Sequence, residues 1–296
     1  MSQTTIVAHN GDFHSDDVFA VAALLLALGE DADVTILRTR DPEIIKIGTY
    51  VVDVGGEYDP VRERFDHHQK GGAGTRDNGI PYASFGLAWK KYGAQICGSE
   101  VVAQAIDERL VQPIDALDNG VEISKPLFSD VHPYRIENIV MAFVPTWKEK
   151  SDPDEIFEKV VRMVMPLLER QIKTLRDVEE GKHHVEAAYA AAADKRVIVM
   201  DSDSPCGAVL ADHPEPLYAV YPSEGSGTWH AKAVRNDPFQ FTNRKDFPEA
   251  WAGKKDAELA EVTGVADAVF CHNKRFIVVA KSREGILALV EKALRG

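Results

Sequence analysis

The sequence predicts an α/β protein with an N-terminal parallel-sheet domain and a smaller C-terminal α/β domain. Three observations predict it. The first half alternates short β-branched runs with helical stretches, the pattern of a parallel sheet with helices on its faces. A long helical region then interrupts that alternation. The last third returns to short strands and closes on a helix. At 296 residues, 45% of them hydrophobic, the chain is long enough for two cores.

In order, the reading gives strands at residues 5–8, 33–37 and 50–54, and helices at 16–28, 82–92 and 100–110. Ser151-Asp152-Pro153 supplies a cap and an early-helix proline for the next helix, with Asp154 and Glu155 in its first turn. Ile156, Val160, Val161, Val164, Leu167 and Leu168 keep helical spacing, and Pro166 should kink or split this helix. A second helical stretch at 182–193 leads to a strand at 196–200, so the expected domains are residues 1–188 and 189–296. Further strands are expected at 217–221, 229–234, 268–271 and 276–280, then a helix at 283–294 capped by Ser282.

Composition narrows the function. A net charge of −13 argues against a nonspecific nucleic-acid binder with a basic surface. It leaves room for a nucleic-acid substrate held by metal ions, because bound cations reverse the local field. Cys97, Cys206 and Cys271 are far apart and odd in number, which suits buried thiols in a reducing compartment rather than a disulfide framework. The longest apolar run, residues 18–28, is too short to cross a bilayer. No basic leader precedes the first strand, so the expected location is cytoplasmic, with no membrane partner.

Histidine and aspartate gather in four places within the first 120 residues: His9 through Asp17, Asp53, Asp66-His67-His68, and Asp115 through Asp118. Each alone reads as a turn, a cap or a surface pair. Together they reverse that reading. At least two follow predicted strands directly, where ligands of open α/β sheets bind. Mixed imidazole and carboxylate donors without cysteine suit Mn2+, Zn2+ or Fe2+ in an open site. Paired cations can stabilise an in-line displacement at phosphorus, and Asp53 is the natural bridging carboxylate.

The same residues resemble a known family. Asp53 at a strand end, followed by Asp66-His67-His68, resembles the DHH phosphoesterase superfamily. More closely, the chain is similar to the melanocyte-proliferating-gene family of metal-dependent exonucleases. The matching stretches are His9-Asn10-Gly11, Phe13-His14-Ser15-Asp16, Arg38-Thr39-Arg40-Asp41-Pro42, Val51-Val52-Asp53-Val54-Gly55-Gly56-Glu57-Tyr58-Asp59-Pro60, Asp66-His67-His68-Gln69 and Asp118-Asn119-Gly120. Pro145-Thr146-Trp147 and Ser282-Arg283-Glu284-Gly285 extend it over nearly the whole chain.

The resemblance implies a DHH-like catalytic domain. One cation would be held by His9, His14 and Asp53, and a second by Asp16, Asp53, His67 and Asp118, with Asp115 kept as the alternative to Asp118. His68 would face substrate or the attacking water, with Asp66 orienting an imidazole. Most of the superfamily carries an aspartate where His14 stands, so histidine here lowers the negative charge at the first site. The second domain would bind substrate through Trp229, Arg244, His272 and Arg283.

The function so implied is a divalent-metal-dependent phosphodiesterase, a 3′→5′ exoribonuclease. Its cofactors would be two divalent cations, Mn2+ first, with Zn2+, Fe2+ and Mg2+ as alternatives. RNA or a short oligonucleotide is the expected substrate, and a homodimer the expected assembly. The rivals are a hydrolase of small phosphates (a dinucleotide, nano-RNA or pyrophosphate) and a metal-binding module without turnover.

Overall fold

In the computed structural model, residues 4–237 and 240–296 are described. The chain divides into two compact units, Met1–Arg176 and Asp177–Gly296. The sequence reading put that boundary at 188/189.

The first unit opens with β1 (Thr4–Ala8), α1 (Ser15–Leu28), β2 (Val34–Arg38), α2 (Pro42–Ile47) and β3 (Tyr50–Val52). Two short strands follow, β4 (Tyr58–Asp59) and β5 (Arg64–Phe65). The sheet order is β2-β1-β3-β5-β4, with every pairing parallel except the β4 edge. Strand β1 is central and buried on both faces, as its unbroken apolar run requires. Ile6 and Ala8 face one core with α1, while Val7 faces another with Val51, Val54 and the partly buried Ile44 and Ile45 of α2. A Cβ at Gly48 would lie 2.6 Å from Val7 Cγ2, so α2 can turn into β3 only through a glycine.

Helix α1 is buried around its whole circumference from Ser15 to Leu24. An all-apolar helix needs cover on every side, and the sheet, α3 (Ser84–Cys97) and the helices after it provide it. After α4 (Glu100–Ile106) a single π-helical turn, Asp107–Val111, leads into α5 (Gln112–Asp118). The sequence reading ended this helix at 110. The π turn lets the chain continue to 118 with its register rotated.

Helices α6 (Ile136–Met141) and α7 (Pro153–Ala191) follow. Pro166 does not split α7, and the two helical stretches expected on either side are one element. Proline there forfeits a backbone hydrogen bond. Burial of Val160, Val161, Val164 and Leu168 beside it, at about 1.5–3 kcal/mol per large apolar side chain, offsets that loss.

The second unit is built on β6 (Val197–Val199), α8 (Gly207–Asp212), β7 (Tyr218–Ser223), β8 (Thr228–Ala233), α9 (Asp256–Thr263), β9 (Ala268–Cys271), β10 (Ile277–Ala280) and α10 (Arg283–Arg295). The sheet order is β6-β7-β8-β10-β9, with only β6 and β7 parallel. Ile286, Leu289, Val290 and Ala293 form the buried stripe of α10, and Ser282 Oγ accepts from Gly285 N at 3.0 Å to cap it. All three cysteines are buried and unpaired. No helix among the described residues is long and apolar enough to cross a membrane.

Candidate metal centre

Strands β1, β3 and β5 are neighbours in the sheet, and each delivers a ligand type immediately beyond its carboxyl end: His9, Asp53, and Asp66 with His67. Adjacent strands lie about 4.8 Å apart, so residues distant in sequence become side-chain neighbours. The amino end of α1 adds His14 and Asp16, and the last residue of α5 adds Asp118.

Asp53 sits at the middle. His9 Nε2 lies 3.3 Å from its Oδ2, and His67 Nε2 lies 3.3 Å from its Oδ1. His67 Nε2 is also 3.1 Å from Asp118 Oδ2 and 3.9 Å from Asp16 Oδ2. Three donor groups could each hold an ion, with donor atoms within 4.8 Å of one another: His9-His14-Asp53, His14-Asp16-Asp118 and Asp53-His67-His68. Asp53 and His14 each belong to two of them. Asp53 has φ 55°, a left-handed conformation unusual for a residue with a side chain. Such strain persists where surrounding structure imposes it. Here the Asp53 amide donates to Phe65 O while the carboxylate is held toward the imidazoles.

Electrostatics supply the fit test for a cation. Asp16 is fully buried, yet neither carboxylate oxygen has a hydrogen-bond partner. Burial, then the charges of Asp53, Asp118 and Asp17, push its carboxyl well above the usual range. Burial would lower His9, but the Asp17 and Asp53 carboxylates outweigh it and raise the imidazole to about 10. His67 is likewise raised to about 10, by Asp118 and Asp53 against its own burial. Burial opposes ionisation of Asp53, yet His67 and His9 hold its carboxyl far below the usual range. Buried carboxylates this crowded need positive charge. Divalent cations meet that need, and the histidine and aspartate donors fit them.

His68 differs from its neighbour: its side chain is 62% exposed, and its Nδ1 lies 2.9 Å from Asp66 Oδ1. That bond raises the His68 imidazole, with Asp53 adding to it. Asp66 is buried, but the His68 ring and the Gly56 and His68 amides keep its carboxyl low. Nε2 of His68 is left free of this anchoring bond.

Asp115 and Asp118 part company. Asp115 Oδ1 accepts from Gly86 N at 3.0 Å, and Oδ2 lies 2.7 Å from Arg76 Nη1. A Cβ on Gly86 would lie 1.8 Å from that carboxylate, so the glycine creates the space it occupies. Burial pushes Asp115 up to about 7 against the pull of Arg76 and the amide. Asp115 joins none of the three donor groups, and Asp118 takes part in one.

Three contributors had no role assigned to them from the sequence. Asp17 Oδ2 lies 3.0 Å from His9 Nε2, while its Oδ1 accepts from the His14 and Val18 amides. Ser84 Oγ donates to Asp53 Oδ1 at 2.9 Å. Arg38 donates to Gly11 O at 2.7 Å and to Asp154 Oδ1 at 2.9 Å, tying the loop between His9 and His14 to the start of α7. Asp17 beside Asp16 was a visible signal. A serine thirty-one residues from its partner offers none.

In the second unit the proposed substrate residues separate. Arg244 donates to the carbonyls of Leu210, Ala211, His213 and Pro216 and to Asn236 Oδ1. Its guanidinium caps the carboxyl end of α8, and this commitment replaces the phosphate role expected for it. His272 lies in the β9–β10 hairpin, where its Nδ1 accepts from Lys274 N. Trp229 pairs with Ala280 at the far end of β10, and the Arg283 guanidinium stands 5.9 Å from its ring.

Fold and site define an α/β protein with a histidine–aspartate cluster that could hold metal ions at the carboxyl edge of a parallel sheet. The chain belongs to the MYG1_exonuc family, described as Uncharacterised protein family (UPF0160), whose model matches residues 5–294. It is 32% identical to the MYG1 protein of Dictyostelium discoideum, over 99% of this chain and 97% of that one. It is 30% identical to the MYG1 exonuclease of Homo sapiens, over 99% and 86% respectively. A solved DHH domain from a member of the s1p family of ribosomal proteins is 13% identical, covering 99% of this chain and 87% of its own, with a TM-score of 0.30.

Proposed function

We propose that the protein is a divalent-metal-dependent phosphodiesterase, a 3′→5′ exoribonuclease that works with paired Mn2+ ions. The observation that carries this reading is Asp16, buried among other carboxylates with neither oxygen partnered. The exonuclease names of relatives such as the human protein support the nuclease class.

His9, His14 and Asp53 would hold one cation, and Asp16, Asp53, His67 and Asp118 the other, with Asp53 shared. When bound, the pair supplies Lewis-acid stabilisation of the charge that builds on the phosphoryl oxygens. The remaining work belongs to the chain. Asp17 and Ser84 hold His9 and Asp53 in place. Asp66 fixes the tautomer of His68, so that its exposed Nε2 can carry a proton to the departing oxygen of the phosphodiester. Arg38 keeps the loop bearing the first two ligands from relaxing. In the second unit, Trp229 and Arg283 pair an aromatic face with a cation, a combination suited to a nucleotide.

The test is hydrolysis of single-stranded RNA labelled at one end or the other, with and without Mn2+. Mononucleotides released from the 3′ end only with metal support the reading. Metal that stabilises the fold without any phosphoester cleavage would leave a binding module. Cleavage restricted to dinucleotides or pyrophosphate would make the chain a small-phosphate hydrolase.

A further inference from the structure

Beyond Asp118 the chain makes an excursion that starts and ends at the metal centre. It leaves from the last residue of α5. It returns at Asp154, whose carboxylate is tied through Arg38 to Gly11, in the loop between His9 and His14. Between residues 121 and 152 one side chain is buried, Val140, which anchors α6 in the core beside α1. So little burial is a poor return for ordering this length of backbone. Yet the segment displays large apolar groups to water: Trp147 is 90% exposed, Tyr134 74% and Phe128 70%. Isolated exposed apolar residues are ordinary, but a concentration marks a contact surface.

Two features identify what is contacted. Aromatic faces alternate with cations: Lys148 Nζ lies 5.0 Å from the Trp147 ring, and His132 and Arg135 flank Tyr134. Residues 121–150 also carry four acids against four lysines and arginines, in a chain of net charge −13. The segment, with Arg135 paired to Glu122, therefore carries no net negative charge to repel a polyanion. Exposed rings with adjacent cations are how proteins grip single strands without reading sequence.

We propose that residues 121–150 form a base-stacking flap beside the metal centre, holding a single-stranded nucleic acid on Trp147, Tyr134 and Phe128. Unstacked bases lie against these rings, so the flap selects single strands over duplexes and nucleobases over bare phosphodiesters. The inference rests on the phosphodiesterase reading for its chemistry and adds the surface that holds the strand.

Trp147→Ala and Tyr134→Ala test it, since both side chains are exposed and their loss leaves the core intact. Binding of a fluorescent single-stranded oligoribonucleotide is followed by anisotropy, with an abasic strand of equal length as competitor. The Mn2+-dependent rate on bis(4-nitrophenyl) phosphate is measured alongside. Each variant should bind the oligonucleotide about 5- to 100-fold more weakly, the range of one lost base–aromatic stack. The small-substrate rate should not change, and the abasic strand should compete poorly with the parent. Unaltered oligonucleotide binding in both variants overturns the proposal. So does a dimer-to-monomer shift in sedimentation without loss of affinity, which would assign the surface, with Leu127 and Val131, to a second copy of the chain. If the parent hydrolyses no phosphoester with Mn2+, the phosphodiesterase reading fails by itself, and the binding comparison still decides the flap.

Discussion

Both units place an aspartate at the amino end of a helix, and they treat it in opposite ways. In the second unit Asp267 Oδ2 accepts from both the amide and the hydroxyl of Ser282, and a Cβ on Gly285 would lie 2.0 Å from its Oδ1. In the first unit Asp16, in the first turn of α1, has no partner, and the nearest groups with charge include three further carboxylates. The residue type is the same, although Asp16 belongs to its helix and is fully buried while Asp267 reaches α10 from just before β9 and is half-buried. One site is finished by protein hydrogen bonds, while the other leaves both carboxylate oxygens without one. A satisfied buried polar group is structural by default, and an unsatisfied one calls for an explanation.

The sharpest way to break this contrast is at Asp53. Asp53→Asn keeps a side chain that tolerates positive φ, and phosphoester hydrolysis should fall about a thousandfold, as when a preorganised electrostatic group is lost. Metal-free protein should also lose stability, because the carboxylate that His67 and His9 hold ionised is gone. A variant within a few-fold of the parent rate removes Asp53 from the bridging role.

Asp17→Asn comes next. It should weaken Mn2+ affinity or activity by about 10- to 100-fold, the usual cost of losing a group that orients a ligand. Titrating the metal into both proteins by calorimetry measures it.

The paired helix ends should then respond with opposite signs. Asp16→Asn should stabilise the metal-free protein by about 1–3 kcal/mol, because a carboxyl whose ionisation burial and its neighbours oppose is replaced by a neutral amide, and should abolish most of the stabilisation by Mn2+. Asp267→Asn should destabilise by about 1–2 kcal/mol and leave the Mn2+ response intact. Denaturant melts with and without metal separate the two; equal signs would dissolve the distinction.

The pH dependence sharpens the same point more gently. His9 and His67 are raised from 6.5 to about 10, so the stability their protonation contributes is full below pH 6.5 and is lost as pH rises toward 10. Metal-free protein should therefore soften across that window. If Mn2+ is held there, it should take the place of those protons and flatten the profile, with proton release on binding. The smallest effect on catalysis belongs to Arg244→Ala, which should leave KM unaltered while costing about 1.5–3 kcal/mol of stability as charged hydrogen bonds are lost.

Much of this was legible in the sequence. Short β-branched runs alternating with helical stretches gave the two α/β units, and the rule that ligands follow strands singled out His9 and Asp53, while His67 came from the Asp66-His67-His68 cluster; the structure brings the three together. The same signals were blind elsewhere. Strand β5 is only two residues long, too short for any periodicity to register. Pro166 read as a break, because local propensity does not count the apolar face packed around it.

What the sequence determined by itself was therefore the inventory and its order: which donors exist, and that several of them directly follow strands. Tertiary structure decided which aspartate of Asp115 and Asp118 faces the cluster, because a π turn earlier in the helix resets the angle at which α5 presents its side chains. It also decided that Arg244 is occupied and that Asp16 is left wanting charge. Those outcomes depend on where distant carbonyls, amides and carboxylates come to lie, and hydrogen bonding and electrostatics act through space rather than along the chain.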